Sequence, residues 1–193
     1  MEIFIRKADE EDFSYVRRLM IESSIYNVPV NRDIPNRAVK ATVRSTADQV
    51  LDRARQSDDF VVLVAEDRDS GERMGYLLLD LNHTEPSTGE RQGYIFDLGV
   101  EERFWGTQAG PMLTRKAAAL SGQAGHRYVT AEITAANRRS YLKSLRMGFV
   151  VERYKIAMAC TPEGPTKMPG RPAKERAHDH SRSKRRETEK DPD

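Results

Sequence analysis

Apolar residues come in short runs and helical stripes that predict an alternating chain of strands and helices. Ile3, Phe4 and Ile5 predict a first strand. Asp9, with Asp12 three residues on, marks a helix start, and Phe13, Val16, Leu19 and Met20 follow at helical spacing. Asn27 to Asn36, carrying Pro29 and Pro35, predicts a loop, and Val39, Val43, Ala47, Val50, Leu51 and Ala54 give a second apolar helix face. Phe60–Ala65 and Met74–Leu81 predict two strands joined by the turn residues 67–71, hence a hairpin. A second turn-rich stretch, 84–89, leads to the apolar strand Tyr94–Val100. Gly110-Pro111 predicts a helix start, because proline loses nothing in a first turn, with Gly122 or Gly125 at the far end. Tyr128–Thr134 predicts a strand, Asn137–Met147 a helix stopped by Gly148, and Phe149–Ala159 a final strand. The order is β α α β β β α β α β, an α/β (α+β) class with no internal repeat.

Composition adds a boundary. After Cys160 the chain holds five of its nine prolines, and its only residues from the apolar set are Met168, Ala173 and Ala177. Such a segment cannot bury enough surface to offset chain entropy, so residues 1–160 are expected to form one domain and 161–193 a disordered charged tail. The tail has 9 Lys and Arg against 7 Asp and Glu, and it carries the chain's whole net charge of +2. Lys184-Arg185-Arg186 could touch nucleic acid, but the interspersed acids weigh against it. His178 and His180 make a weak metal pair. No apolar run approaches a membrane span, and the N-terminus lacks the pattern of a secretory signal. A single cysteine excludes an internal disulfide framework and fits a reducing compartment, so a cytoplasmic location is expected.

The chemistry lies between Val100 and Leu113: a strand, a glycine-bearing loop and a helix start. Free backbone N–H groups, the positive end of the helix dipole and glycines that admit close approach together suit a pyrophosphate. In this setting the chain resembles the GNAT superfamily of acetyl-CoA-dependent N-acetyltransferases. That family's loop, Arg/Gln-x-x-Gly-x-Gly/Ala, falls on Trp105-Gly106-Thr107-Gln108-Ala109-Gly110. Gly110 matches the last position, Trp105 replaces the Arg/Gln, and Gln108 replaces a glycine. A register two residues earlier, starting at Arg103, restores the arginine but shortens the gap after the strand. A strand, Asn137, a helix and the closing Gly148-Phe149 continue the resemblance, which covers roughly residues 3 to 159.

The resemblance implies a central mixed, mostly antiparallel sheet, splayed at its middle strands and flanked by helices. It implies that the backbone at Leu98, Gly99 and Val100 binds the pantetheine arm and polarises the thioester, that residues 105–110 hold the pyrophosphate, and that Asn137 hydrogen-bonds the pantetheine. The family's acid, a tyrosine seven residues after the asparagine, falls on Ser144, a position counted with the cofactor contacts but a poor proton donor. Transfer of acetyl from acetyl-CoA to a primary amine by direct attack is the implied reaction. The alternative is an acyl-CoA-binding domain without transfer, suggested by Gln108 and Ser144.

A neutral amine requires a base. Asp97 and Glu132 lead, the first on the central strand, the second on the far wall of the splay. Asp80 and His83 are further candidates, with His83 placed in a turn. Two-residue alternation places Asp97 on the face of Gly99, opposite Phe96, Leu98 and Val100. The acceptor pocket is expected from residues 27–36, the helix after them and the turn 82–93. The acceptor amine and the oligomeric state are not encoded in any motif.

Overall fold

The computed structural model describes residues 1–162 and 164–166. Residues 1–150 form one compact unit, and the described residues from 151 onward belong to a second. In the first unit five strands line up in the order β1-β2-β3-β4-β5: Ile3–Lys7, Phe60–Asp67, Arg73–Thr84, Arg91–Val100 and Val129–Ala131. The first four are antiparallel neighbours and β5 joins β4 in parallel, which gives the expected mixed sheet.

Helices cover both faces. Helix α1 (Phe13–Ser23) turns Val16, Leu19 and Met20 onto the sheet, and α2 (Asn36–Gln56) adds Ala47, Val50 and Leu51. They close over Phe60, Val62 and Val64 of β2 and Tyr76 and Leu78 of β3. On the other face α3 (Ala109–Gln123) sets Leu113 and Ala117 against Val61, Leu63, Ala65, Met74, Leu77, Leu79 and Ile95. Both faces of β2 and β3 are therefore dry, which is why their sequences are continuous apolar runs rather than alternating ones. Each such Val or Leu contributes roughly 1.5–3 kcal/mol on burial.

Local signals decide the element ends. Asp9 and Asp12 form the capping box at the start of the first helical segment, a 3₁₀ turn (Glu10–Asp12) that runs into α1. Asp12 is wholly buried, with Arg6 at 2.5 Å and Arg73 at 2.5 Å on its two carboxylate oxygens and the Asp9 N–H at 3.0 Å. This network ties β1 and β3 to the start of α1. Helix α3 ends at Gln123, with Gly125 rather than Gly122 in the left-handed conformation beyond it. Helix α4 (Arg138–Arg146) stops at Gly148, whose φ of 98° suits glycine.

Three expectations change. The predicted strand 128–134 is shortened to β5, because β5 leaves β4 after Ala131 and loses its hydrogen-bonding partner. His83 lies inside β3, not in a turn, and stacks on Tyr94 with 4.6 Å between ring centroids. The predicted final strand is absent: residues 151–158 have no regular structure. Two short strands instead form a hairpin, β6 (Ala159–Thr161) with β7 (Gly164–Thr166), across the expected boundary at residue 160. His178, His180 and Lys184-Arg185-Arg186 lie outside the described residues.

Candidate active site

Strand β4 changes character along its length. Tyr94 and Ile95 pair with Asp80 and Leu79 of β3 on one side, and Gly93, Tyr94 and Ile95 pair with Val129, Thr130 and Ala131 of β5 on the other. Beyond Ile95, β5 is gone and one edge of β4 stands open, with Phe96 and Leu98 each more than a third exposed. The splay expected at Leu98-Gly99-Val100 is thus present.

The open edge has a defined hydrogen-bonding pattern. The Glu101 N–H points to β3, donating to the Met74 carbonyl at 3.0 Å. Alternation along the strand then turns the backbone groups of Val100 and Leu98 toward the open side. Two of these four groups have partners. The Val100 carbonyl accepts from the Trp105 indole N–H at 2.7 Å, and the Leu98 N–H donates to Asp97 Oδ1 at 2.9 Å. The Val100 N–H and the Leu98 carbonyl have no partner among the described residues.

Asp97 sits beside these groups, and a β-bulge puts it there. Leu78 pairs with Asp97 while Leu79 pairs with Ile95, so Phe96 is an extra residue on β4. The bulge breaks the two-residue alternation. Phe96 turns to the α1/α2 face, where its ring meets Phe60 at 6.1 Å, and Asp97 faces the same way toward Tyr76. The expectation that Phe96 and Asp97 lie on opposite faces is corrected by this bulge. Asp97 does share a face with Gly99, as expected.

Among the described residues no cation acts on Asp97. Its Oδ2 accepts from the Tyr76 hydroxyl at 2.7 Å. Burial pushes its carboxyl above the ordinary aspartate value, and the bonds from Tyr76 and the Leu98 N–H pull it partly back. Burial, and then the Asp97 charge, raise the Tyr76 hydroxyl well above a free tyrosine. Across the splay, Glu132 is exposed just past β5, and its charge, with that of Asp97, helps hold up the half-buried Tyr94 hydroxyl, whose main cause is burial. Asp80 is engaged instead by Arg53 at 2.8 Å and by the Asn82 N–H. His83, Tyr94, Phe96 and Phe60 form a continuous aromatic row on this face.

The loop after β4 is built to offer donors. A 3₁₀ turn (Glu102–Phe104) leads to Trp105, and Gly106 takes φ 95°, a conformation that favours glycine. Thr107 spends its hydroxyl within the loop, donating to the Phe104 carbonyl at 2.7 Å and accepting from the Ala109 N–H at 3.3 Å. The N–H groups of Gly106, Gln108 and Gly110 find no acceptor among the described residues. Gln108 has φ −81° and ψ 0°, which any residue adopts, so glutamine in place of the family's glycine causes no backbone strain there. A Cβ at Gly110 would make one ordinary contact, with Val100 at 3.7 Å.

Two contacts around this loop escaped the sequence reading. The Arg139 guanidinium of α4 stacks 4.5 Å from the Trp105 ring, and Tyr26 meets that ring edge-on at 5.5 Å while bonding Glu102. Arg139 thus brings a positive charge over the loop. Asn137 caps α4, its side-chain oxygen accepting from the Ser140 N–H at 3.2 Å, which leaves its amide donors for another partner. Ser144 is half-buried on α4, and Tyr154, in the irregular segment, is 88% exposed.

Comparison with known proteins agrees with this arrangement. The chain superimposes on a GCN5-related N-acetyltransferase from Ralstonia eutropha JMP134 with TM-score 0.62 and 18% identity, covering 81% of this chain and 97% of that one. The aminoglycoside 6'-N-acetyltransferase AAC(6')-IG from Acinetobacter haemolyticus matches with TM-score 0.59 and 13% identity over 82% and 98%. AAC(6')-Iy, solved with a bisubstrate analogue of CoA and acetylneamine, matches with TM-score 0.61 and 15% identity over 83% and 100%. At these identities the likeness speaks for the fold. No curated protein matches the sequence. The family model for acetyltransferases matches residues 31–149, which span the loop, Asn137 and Gly148-Phe149, and the chain belongs to the acetyltransferase (GNAT) family.

Proposed function

We propose that the chain moves an acetyl group from acetyl-CoA to a primary amine by direct attack within a ternary complex, with Asp97 as the base. The observation that carries this is the open half of β4, where the spare Val100 N–H and Leu98 carbonyl lie next to a carboxylate that has no cationic partner among the described residues. The loop 105–110 would hold the pyrophosphate through the N–H groups of Gly106, Gln108 and Gly110, with Arg139 adding charge. The Val100 N–H would receive the negative charge that develops on the thioester oxygen.

In the reaction, Asp97 accepts a proton from the acceptor's ammonium, directly or through one water. The freed nitrogen lone pair attacks the thioester carbon and forms the C–N bond. The C–S bond then breaks and CoA leaves as its thiolate; the second proton of the attacking nitrogen passes, directly or through water, to that thiolate, and Asp97 returns its proton to solvent. Ser144 contributes no acid to this step. Glu132 is the second candidate base, and its exposed place past β5 fits it better to attracting the acceptor. Holding both substrates in one cleft supplies much of the rate. The aromatic row and the two carboxylates, Asp97 and Glu132, favour a cationic amine.

The test is release of CoA thiol from acetyl-CoA in the presence of spermidine, kanamycin or a lysine peptide, each as a probe amine. Amine-dependent release that saturates with acetyl-CoA is expected from at least one probe. Acetyl-CoA binding without release to any probe would favour the reading as an acyl-CoA-binding domain.

A further inference from the structure

Tyr76 is fully buried, yet its hydroxyl reaches a group at the open edge of the next strand. Two features make that reach possible. Tyr76 pairs with Gly99 across the sheet, and the ring lies over the glycine. A Cβ at position 99 would stand 2.6 Å from Tyr76 Cε1, 3.0 Å from Cζ and 3.1 Å from the hydroxyl oxygen. Any side chain at 99 would push the ring away. The second feature is the bulge at Phe96, which turns Asp97 to the tyrosine's face.

A buried tyrosine hydroxyl needs a partner. This one donates to Asp97 Oδ2, while the Leu98 N–H holds Oδ1, so the two oxygens are fixed from two directions. The carboxylate cannot rotate without breaking one bond. The titratable groups that couple to this pair are few. Tyr76 approaches Asp97 from β3 and Tyr94 shares its strand; Tyr15 of α1 acts electrostatically on Tyr76, and Glu132 on Tyr94. Ser23 of α1 stands beside the Tyr76 hydroxyl.

We propose that Tyr76 is a positioning residue for acetyl transfer: passing over Gly99, its hydroxyl locks the Asp97 carboxylate in the orientation that receives the acceptor's proton. This rests on the reading of Asp97 as the base. Tyr76 touches no substrate. Removing its hydroxyl leaves Asp97 in the same desolvated place with one donor fewer, so the carboxyl holds its proton more tightly.

The experiment uses the full chain and the variants Tyr76→Phe, Gly99→Ala and Asp97→Asn. Carbon-13 NMR follows the Asp97 carboxyl through a pH titration, and the pH profile of CoA release is recorded with the best probe amine. Tyr76→Phe is expected to raise the Asp97 titration by about one pH unit or more. It should move the acid limb of the rate profile upward with it and lower kcat roughly tenfold, with KM for acetyl-CoA unchanged. Gly99→Ala, which keeps the hydroxyl but displaces the ring, should shift the titration in the same direction. Asp97→Asn should lose about 100-fold or more. Full activity of Asp97→Asn, or no transfer to any probe, would remove the base reading and the positioning role with it. An inactive Asp97→Asn beside a Tyr76→Phe whose titration and pH profile are unmoved would overturn the positioning role alone.

Discussion

Two carboxylates, Asp12 and Asp97, are both drawn away from water and respond in opposite ways. Asp12 stands at the junction of β1, β3 and α1, held by Arg6, Arg73 and the Asp9 N–H. Burial alone would raise it, and the two guanidiniums with the backbone N–H overcome that cost and hold it well below the usual carboxylate range. Asp97 has only a tyrosine hydroxyl and one N–H, which do not overcome burial, and it lies above its ordinary value. Asp12 is sealed, whereas Asp97 is half-buried and lies on the part of β4 that has no β5 beside it. A carboxylate with full pairing and no access stabilises a fold. One with incomplete pairing, and an opening, is free to exchange a proton.

The largest expected effect lies on the paired side of this contrast. Asp12→Asn strands two guanidiniums that are only partly solvated, and urea unfolding should show a loss of about 3 kcal/mol. Equal stability would mean that the network is not holding β1 and β3 to α1. Arg73→Met should cost less, on the order of 1 kcal/mol, because Arg6 still pairs with Asp12. The pH dependence should differ between the sites as well. The Asp12 pKa is depressed, so its stabilisation is present above the ordinary aspartate value of 3.8 and is lost as pH falls through the folded value. The Asp97 pKa is raised, so its contribution is full below 3.8 and is lost as pH rises through the folded value. Asp97→Asn should therefore melt no lower than the parent at neutral pH, by a few tenths of a kcal/mol at most, and any gain should vanish toward acid. A clear destabilisation at pH 7 would assign Asp97 to the fold rather than to chemistry.

Much of this was legible along the chain because local signals carry it. The Asp9–Asp12 capping box, the turn at Gly71, Pro111 in a first helical turn and Gly148 after α4 each act within a few residues. The loop 105–110 and Asp97 could be named as candidates from patterns of the same local kind. What escaped depends on partners distant in sequence. The bulge at Phe96 is a mismatch between β3 and β4, so no periodicity within β4 reveals it. Tyr76 reads as one more apolar strand residue until its pairing with Gly99 is known; a tyrosine facing a glycine across strands is a signal once the register is in hand. Arg139 and Trp105 lie on separate elements and meet only through the fold. The end of the chain misled for another reason. Tyr154, Ile156 and Met158 alternate as in a strand, but alternation specifies an edge only where a partner strand is supplied, and in this structure all three are exposed.

Binding of acetyl-CoA to the full chain tests the central claim most directly, measured by calorimetry beside the variant Gly110→Trp. The bare backbone at Gly110 and the spare N–H groups around it predict saturable binding by the parent, lost in a Trp variant that keeps its fold. Absence of binding at high micromolar acetyl-CoA, or equal binding by the obstructed variant, would contradict the assignment of the open half of β4 and its loop as the acyl-CoA site.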